Sequence, residues 1–194
     1  MSNGLIEQFI ATAQLDEMDS SGIALDGLNL SKLNCQRVYA EGVSARSTCF
    51  NQANLERASL YSSNFQQADF SGAVLTNAVF MECIFSRANF HHSHLVGTSF
   101  AGCFDAEEAC FEDADMQHCN LSDLNCRGAN FSGADLSNAK ADNTCFANAN
   151  LDDTDFSNAD LSGSDFRGAS LEETCWDGAK INNCKFDKNG EPKV

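Results

Sequence analysis

Three of the four histidines, His91, His92 and His94, stand within four positions of one another, with His118 some way on. Imidazoles set beside carboxylates are ligands for a divalent ion such as Zn²⁺ or Ni²⁺. The alternative is that polar residues simply fill outward positions of a regular surface. Ten cysteines form a second reactive set. No C-x-x-C pair occurs among them, which excludes zinc-ribbon and thioredoxin-type motifs, and with no secretory signal they do not read as a disulfide framework. They read as reduced thiols acting as small apolar fillers. The third set is acidic: Glu112, Asp113, Asp115, Asp135, Asp152, Asp153, Asp155, Glu172 and Glu173. No Ser-His-Asp spacing, P-loop or Rossmann glycine pattern accompanies these groups, so the chain reads as non-catalytic and no cofactor is assigned.

Composition narrows the partners. With 12 Lys and Arg against 28 Asp and Glu in 194 residues, the formal charge is −16. Nucleic acid is thereby disfavoured as a direct partner, because phosphate binding runs on excess Lys and Arg, and an anionic membrane surface is disfavoured for the same reason. No apolar run approaches the ~18 residues of a membrane span. The start, Met1 to Phe9, has no basic residue and no signal-like apolar core, so a cytoplasmic location is expected.

The elements that position the reactive sets follow from a period of five. Leu or Phe falls at 25, 30, every fifth position from 50 to 100, then at 111, 121, 131, 136, 146, 151, 156, 161, 166, 171 and 186. Of 32 such slots 24 are Leu or Phe, and 13 of the 15 Phe occupy one, so a single aromatic shape is wanted repeatedly in one environment. Two residues before the slot stands a small residue (Ala53, Ala58, Ala68, Ala129, Ala134, Ala159), and one before it a polar one (Asn54, Asp69, Asn130, Asp160). Ser often comes one after it, and Gly or Asn two after. Ala129-Asn130-Phe131-Ser132-Gly133 shows the whole unit. Five fits neither a 3.6-residue helix nor an alternating strand. It calls for a chain that turns a corner every five residues with one large and one small side chain pointing inward.

In these residues the sequence resembles the pentapeptide-repeat family, whose unit is A(D/N)LXX, from about Ile23 to Lys188. The resemblance implies an all-β fold, a right-handed quadrilateral β-helix with 20 residues per coil and about eight coils. Stacking would align Leu30, Phe50, Phe70, Phe90, Phe111, Phe131, Leu151 and Leu171 in one interior column, and Leu25, Ala45, Phe65, Phe85, Cys126, Phe146, Phe166 and Phe186 in another. Between Phe100 and Phe111 lies one residue too many, which points to a bulge within 101–110; either Phe104 or Ala106 takes the inward slot. Leu5, Ile6, Phe9, Ile10 and Ala13 fall at helical spacing, which predicts a short capping helix within 1–20, ahead of the repeat at 21–188 and a polar tail at 189–194.

Folding the sequence into 20-residue coils gathers the nine acids named above on one edge over four coils. Residues 1–100 carry 9 acids and 5 bases, whereas 101–194 carry 19 and 7. His91, His92 and His94 fall directly above Glu112, Asp113 and Asp115 in the same scheme. Pentapeptide-repeat rods similar to this one mimic DNA and occupy the DNA-binding saddle of gyrase or topoisomerase IV, protecting cells from topoisomerase poisons. The resemblance thus implies a protein partner with a basic surface. Gyrase-protecting members usually carry a C-terminal dimerisation segment, which is missing at that length here, so a monomer or an end-to-end dimer through an open coil end is expected. A protein–protein adaptor unrelated to topoisomerases is the other reading, since outward residues of a repeat fold vary without touching the fold.

Overall fold

The computed structural model describes residues 22–188 together with Gly190 and Pro192. Positive φ recurs at every fifth residue from Gly22 to Gly102 and again from Glu108 to Asn183, always two residues after the inward slot. Across most of these corners the third residue onward donates back to the slot carbonyl, as Ala53 N does to Phe50 O at 2.9 Å and Ala134 N to Phe131 O at 2.9 Å. A four-residue turn with positive φ at its third position is the type II turn, which explains the Gly and Asn found there. At Gly133, where φ is +68°, a Cβ would also meet Asp113 Oδ1 of the coil before, so a larger residue would have to displace that carboxylate. The Asn or Asp just before the slot also has a task. Its side-chain oxygen accepts from the backbone N two residues on, as in Asn54 to Glu56 (3.1 Å), Asn130 to Ser132 (3.1 Å) and Asp155 to Ser157 (2.8 Å).

Between corners the chain pairs in parallel with the coil 20 residues away. Three runs are long enough to be strands, β1 (Tyr39–Glu41), β2 (Ser59–Tyr61) and β3 (Val79–Met81), and they form a parallel sheet in that order. Elsewhere each face contributes a single bridge per coil, for example Asn34↔Asn54, Cys49↔Asp69 and Asn130↔Asn150. The result is a four-faced parallel β-solenoid whose backbone hydrogen bonds run along its axis.

The core is the stack of inward slots. Phe50, Phe70, Phe90, Phe111 and Phe131 lie ring on ring, with centroids 4.8, 4.9, 4.8 and 4.7 Å apart. That spacing is the distance between paired strands, so the ladder brings the rings to their stacking separation without strain. The second column stacks Phe65 on Phe85 (5.3 Å) and Phe146 on Phe166 on Phe186 (5.2 and 5.1 Å). The columns meet edge to face, as in Phe131 against Phe146 at 5.5 Å and 74°. At the small slot, hydroxyls and thiols replace Ala without leaving a polar group unpaired. Thr48, Thr98, Thr144 and Thr154 each donate to the carbonyl 23 residues earlier at 2.7–2.9 Å, and Cys119 Sγ makes the related contact to Leu95 O at 2.9 Å.

The irregularity in the repeat is resolved in favour of Ala106. Ala106 is fully buried in the column, whereas Phe104 is 64% exposed. The bridge register passes from Val79↔Ser99, 20 apart, to Ile84↔Asp105, 21 apart. Phe104 N donates to Cys83 O (3.0 Å) while Asp105 O accepts from Phe85 N (2.6 Å), so two residues share the pairing that Ser99 performs alone in the preceding repeat. This is a β-bulge, and the register downstream returns to 20. The predicted capping helix at 1–20 lies outside the described residues, as does most of the 189–194 tail.

Two expectations follow. Phe131→Ala removes a buried ring and leaves a cavity, so it should destabilise by about 3–5 kcal/mol in chemical denaturation, whereas Phe104→Ala should stay within about 0.5 kcal/mol of the parent. The thiols should divide by burial. Cys49, Cys110, Cys145 and Cys175 are half-buried, while Cys35, Cys83, Cys103, Cys119 and Cys126 are buried. Burial pushes the Cys35 thiol up to about 11 and raises Cys119 and Cys126 as well. A thiol reagent added to the native protein should therefore label the first four and reach the buried five only after denaturant.

Candidate functional site

The edge that carries the acids is made of the two corner residues after the Phe90–Phe111–Phe131–Leu151 column and the bridge position that follows. Corner stacks on corner: Asp113 N donates to Ser132 O (3.0 Å), Gly133 N to Asp152 O (3.0 Å) and Asp153 N to Glu172 O (2.8 Å). The bridge position forms one ladder, His94↔Asp115, Asp115↔Asp135, Asp135↔Asp155 and Asp155↔Cys175. The structure therefore brings all nine sequence-predicted acids onto one edge. Along the same edge the earlier coils present Ser31, Lys32 and Asn34, then Asn51, Gln52 and Asn54, then Ser71, Gly72 and Val74. The edge changes character at the coil that carries the bulge: uncharged but for Lys32 before it, acidic after it.

Several of the carboxylates are held by short bonds. Asp152 Oδ1 accepts from Ser170 Oγ (2.5 Å) and Glu172 N (2.8 Å). Asp135 accepts from Ser137 N (2.9 Å) and from Gln117 Nε2 (2.5 Å). Burial works to raise the Asp135 carboxyl, but the hydrogen bonds from Ser137 and Gln117, with the nearby His118, outweigh it and hold the group below its ordinary value. Ser137, Gln117 and Ser170 belong to the site and carry no signal of their own in the sequence. Ser137 is recoverable from the two-residue offset of the Asn/Asp corner bond, the other two only from the coil register.

The compensation of charge is uneven. Half of the acids on the other edges pair with bases, among them Glu107 with Arg127 (4.0 Å), Glu108 with Arg87 (2.8 Å), Asp142 with Lys140 (3.6 Å), Asp160 with Lys180 (3.1 Å) and Asp165 with Arg167 (2.5 Å). Among the described residues, none of the nine acids on this edge is in an ion pair with Lys or Arg. Nine carboxylates on four coils of about 4.8 Å each give one charge per roughly 2.1 Å, of the same order as the ~1.7 Å of duplex DNA.

The histidines separate. His91 and His92 occupy the corner directly above Glu112 and Asp113, with Nδ1 to carboxylate distances of 3.8 and 3.7 Å. His94 takes the bridge position of the same edge, opposite Asp115, and its ligand atoms do not join those of the other two. The group whose ligand atoms converge is His91, His92 and Asp113.

Sequence models of pentapeptide repeats match residues 41–77 and 83–103, and a model of a pentapeptide repeat region matches 109–190. The chain belongs to the pentapeptide-repeat family. Among solved structures of that family, this protein is similar to two trypsin-treated variants of QnrB1, a plasmid-mediated fluoroquinolone resistance protein. One variant is 22% identical with a TM-score of 0.71, covering 86% of this chain and 92% of that one. The other is also 22% identical, with a TM-score of 0.73 over 86% and 90%. The pentapeptide-repeat protein HetL of the cyanobacterium Nostoc, involved in regulating heterocyst differentiation, is 20% identical with a TM-score of 0.52 over 94% and 93%. These likenesses show a common fold. A comparison with curated protein sequences finds no match. No helix among the described residues is long and apolar enough to cross a membrane.

The lowered Asp135 carboxyl sets a pH dependence. A depressed folded pKa contributes stability that is complete above the unfolded carboxylate value of about 3.9 and is lost as pH falls through the folded value. Asp135→Asn, which mimics the protonated acid, should thus melt below the parent by a margin that is larger at pH 7 than at pH 3. Thermal melts of both proteins across that range measure the margin, and its growth on acidification would contradict the assignment.

Proposed function

We propose that this pentapeptide-repeat protein is a non-catalytic acidic rod that binds a protein partner through the edge bearing Glu112, Asp113, Asp115, Asp135, Asp152, Asp153, Asp155, Glu172 and Glu173. The specific partner is a DNA-binding saddle of the DNA gyrase or topoisomerase IV kind, met by a surface that stands in for duplex DNA and so shields the enzyme from its poisons. The observation that carries this reading is the uneven compensation of charge: among the described residues seven of the fourteen acids elsewhere are paired with Lys or Arg, and none of the nine on this edge is. A solubility device would need no such selection, because charge of either distribution keeps a rod dispersed. A charge density of the same order as that of DNA and the fold shared with a fluoroquinolone resistance protein support the same partner. The reading takes the rod to be right-handed with about eight coils, acting as a monomer or as an end-to-end dimer.

A second reading has its own observation. Tyr39, Met81 and Phe104 are 49, 44 and 64% exposed on a surface that is otherwise polar. Tyr39 and Tyr61 lie 5.6 Å apart, ring to ring. Aromatic and Met side chains are the common anchors of protein interfaces, so the Tyr39, Tyr61 and Met81 surface, with the exposed Phe104 at the bulge, favours an adaptor that docks through the first half of the rod.

Replacing Asp152, Asp153, Asp155, Glu172 and Glu173 by Asn or Gln separates the two. None is an inward slot, so the variant should fold and melt close to the parent. On the first reading, inhibition of gyrase supercoiling by the parent should weaken at least about ten-fold in the variant, and should weaken with salt because such pairing is screened over ~8–10 Å. Inhibition indifferent to both changes, or absent in the parent at high micromolar protein, would transfer the case to the adaptor, for which Tyr39→Ser with Phe104→Ser should abolish capture of the partner.

A further inference from the structure

We propose that the corner formed by His91, His92 and Asp113, with Glu112 beside it, is a binding site for a divalent transition-metal ion, which shares Glu112 and Asp113 with the acidic edge but needs no partner protein to form. One ligand atom from each of His91, His92 and Asp113 lies within 4.8 Å of the others. Two ligands at ~2.0–2.1 Å from a tetrahedral ion stand about 3.4 Å apart, so closure needs a shift of roughly an ångström, within the reach of side chains at an exposed corner. The backbone beneath is fixed. His91 N donates to Asn89 Oδ1 at 3.1 Å, His92 N donates to Glu112 O at 3.0 Å, and His92 is held at φ +53°. Two consecutive imidazoles are thereby turned to one side with centroids 3.8 Å apart.

A second observation points to a ligand. His91 Nδ1 is buried and has no hydrogen-bond partner, although Glu112 Oε2 is 3.8 Å away. An ion at the corner gives this nitrogen a partner, with the Glu112 carboxylate close by to offset its charge. Two nitrogens with one or two carboxylate oxygens form a donor set suited to Zn²⁺, Ni²⁺ or Cu²⁺ rather than to Mg²⁺ or Ca²⁺, which take oxygen ligands. The site spans adjacent coils at the place where the column step from Phe90 to Phe111 takes 21 residues. A bound ion therefore fastens the two coils on either side of the bulge, and metal and fold stabilise one another.

Calorimetric titration of the full chain with Zn²⁺ near neutral pH tests this, with Co²⁺ absorption reporting the ligands and Mg²⁺ as the control. One ion per chain, a melting temperature that rises with Zn²⁺, and no response to Mg²⁺ are expected. Affinity should fall at least about ten-fold in Asp113→Asn and be lost in His91→Ala with His92→Ala, while His94→Ala should bind as the parent does. Circular dichroism of each variant confirms that the fold persists. Absence of heat with Zn²⁺, binding retained in the double histidine variant, or thiolate charge-transfer absorption with Co²⁺ would each overturn the site.

Discussion

Everything in this molecule depends on the intercoil hydrogen-bond ladder and the single spacing it imposes. Strands pair at about 4.8 Å, and the phenylalanine columns repeat at 4.7–4.9 Å in the best-stacked run. Because the two distances coincide, the core needs no interdigitation of unlike shapes; identical rings one above another fill it. The same ladder puts like outward residues above like, so a carboxylate finds a carboxylate in the next coil as readily as a ring finds a ring. Favourable repetition inside and unfavourable repetition outside arise from one geometry. The corner hydrogen bonds to Asp135 and Asp152 show how the second is made tolerable.

The sequence held the periodic part of this and little of the rest. Leu or Phe every fifth residue is enough to find the slots, the two long columns and the coil register, because inward positions answer to one constraint. The nine acids could be placed together for the same reason. What the sequence did not reveal is whatever depends on a neighbour one coil away. The choice of Ala106 over Phe104 turned on how a bulge shares a pairing position between two residues, and apolar character alone points the wrong way. His94 falls out of the group with His91 and His92 because, at the bridge position two residues on, its ligand atoms do not converge with theirs, while Asp113 of the next coil supplies the third. The polar small slots were silent too, since the bond from Thr154 to Phe131 O spans 23 residues.

Charge along the acidic edge is graded by coil rather than spread evenly. Ahead of the bulge that edge is uncharged apart from Lys32, at the bulge coil it bears imidazoles, and beyond it stand the carboxylates. The bases of the second half sit elsewhere, where Arg127, Lys140, Arg167 and Lys180 each meet an acid. A partner running along the rod would meet a field that grows from one end to the other, which gives an otherwise repetitive object a direction.

The ladder register also sets what kinds of change in chain length the molecule can absorb. The interior repeats every five residues, but the four outward faces repeat only every 20. Loss or gain of one pentapeptide thus leaves every downstream ring in an inward slot while carrying all downstream surface residues a quarter turn around the axis. Such an event is silent to the core and scrambles any site built across coils, whereas addition of a full coil lengthens the rod and keeps its faces. The extra residue at Phe104 is a third case, a slip taken up at one corner that disturbs neither. Rods of this construction can therefore redraw their surfaces by small insertions at almost no cost in folding, a freedom closed to domains whose interior and exterior share one period.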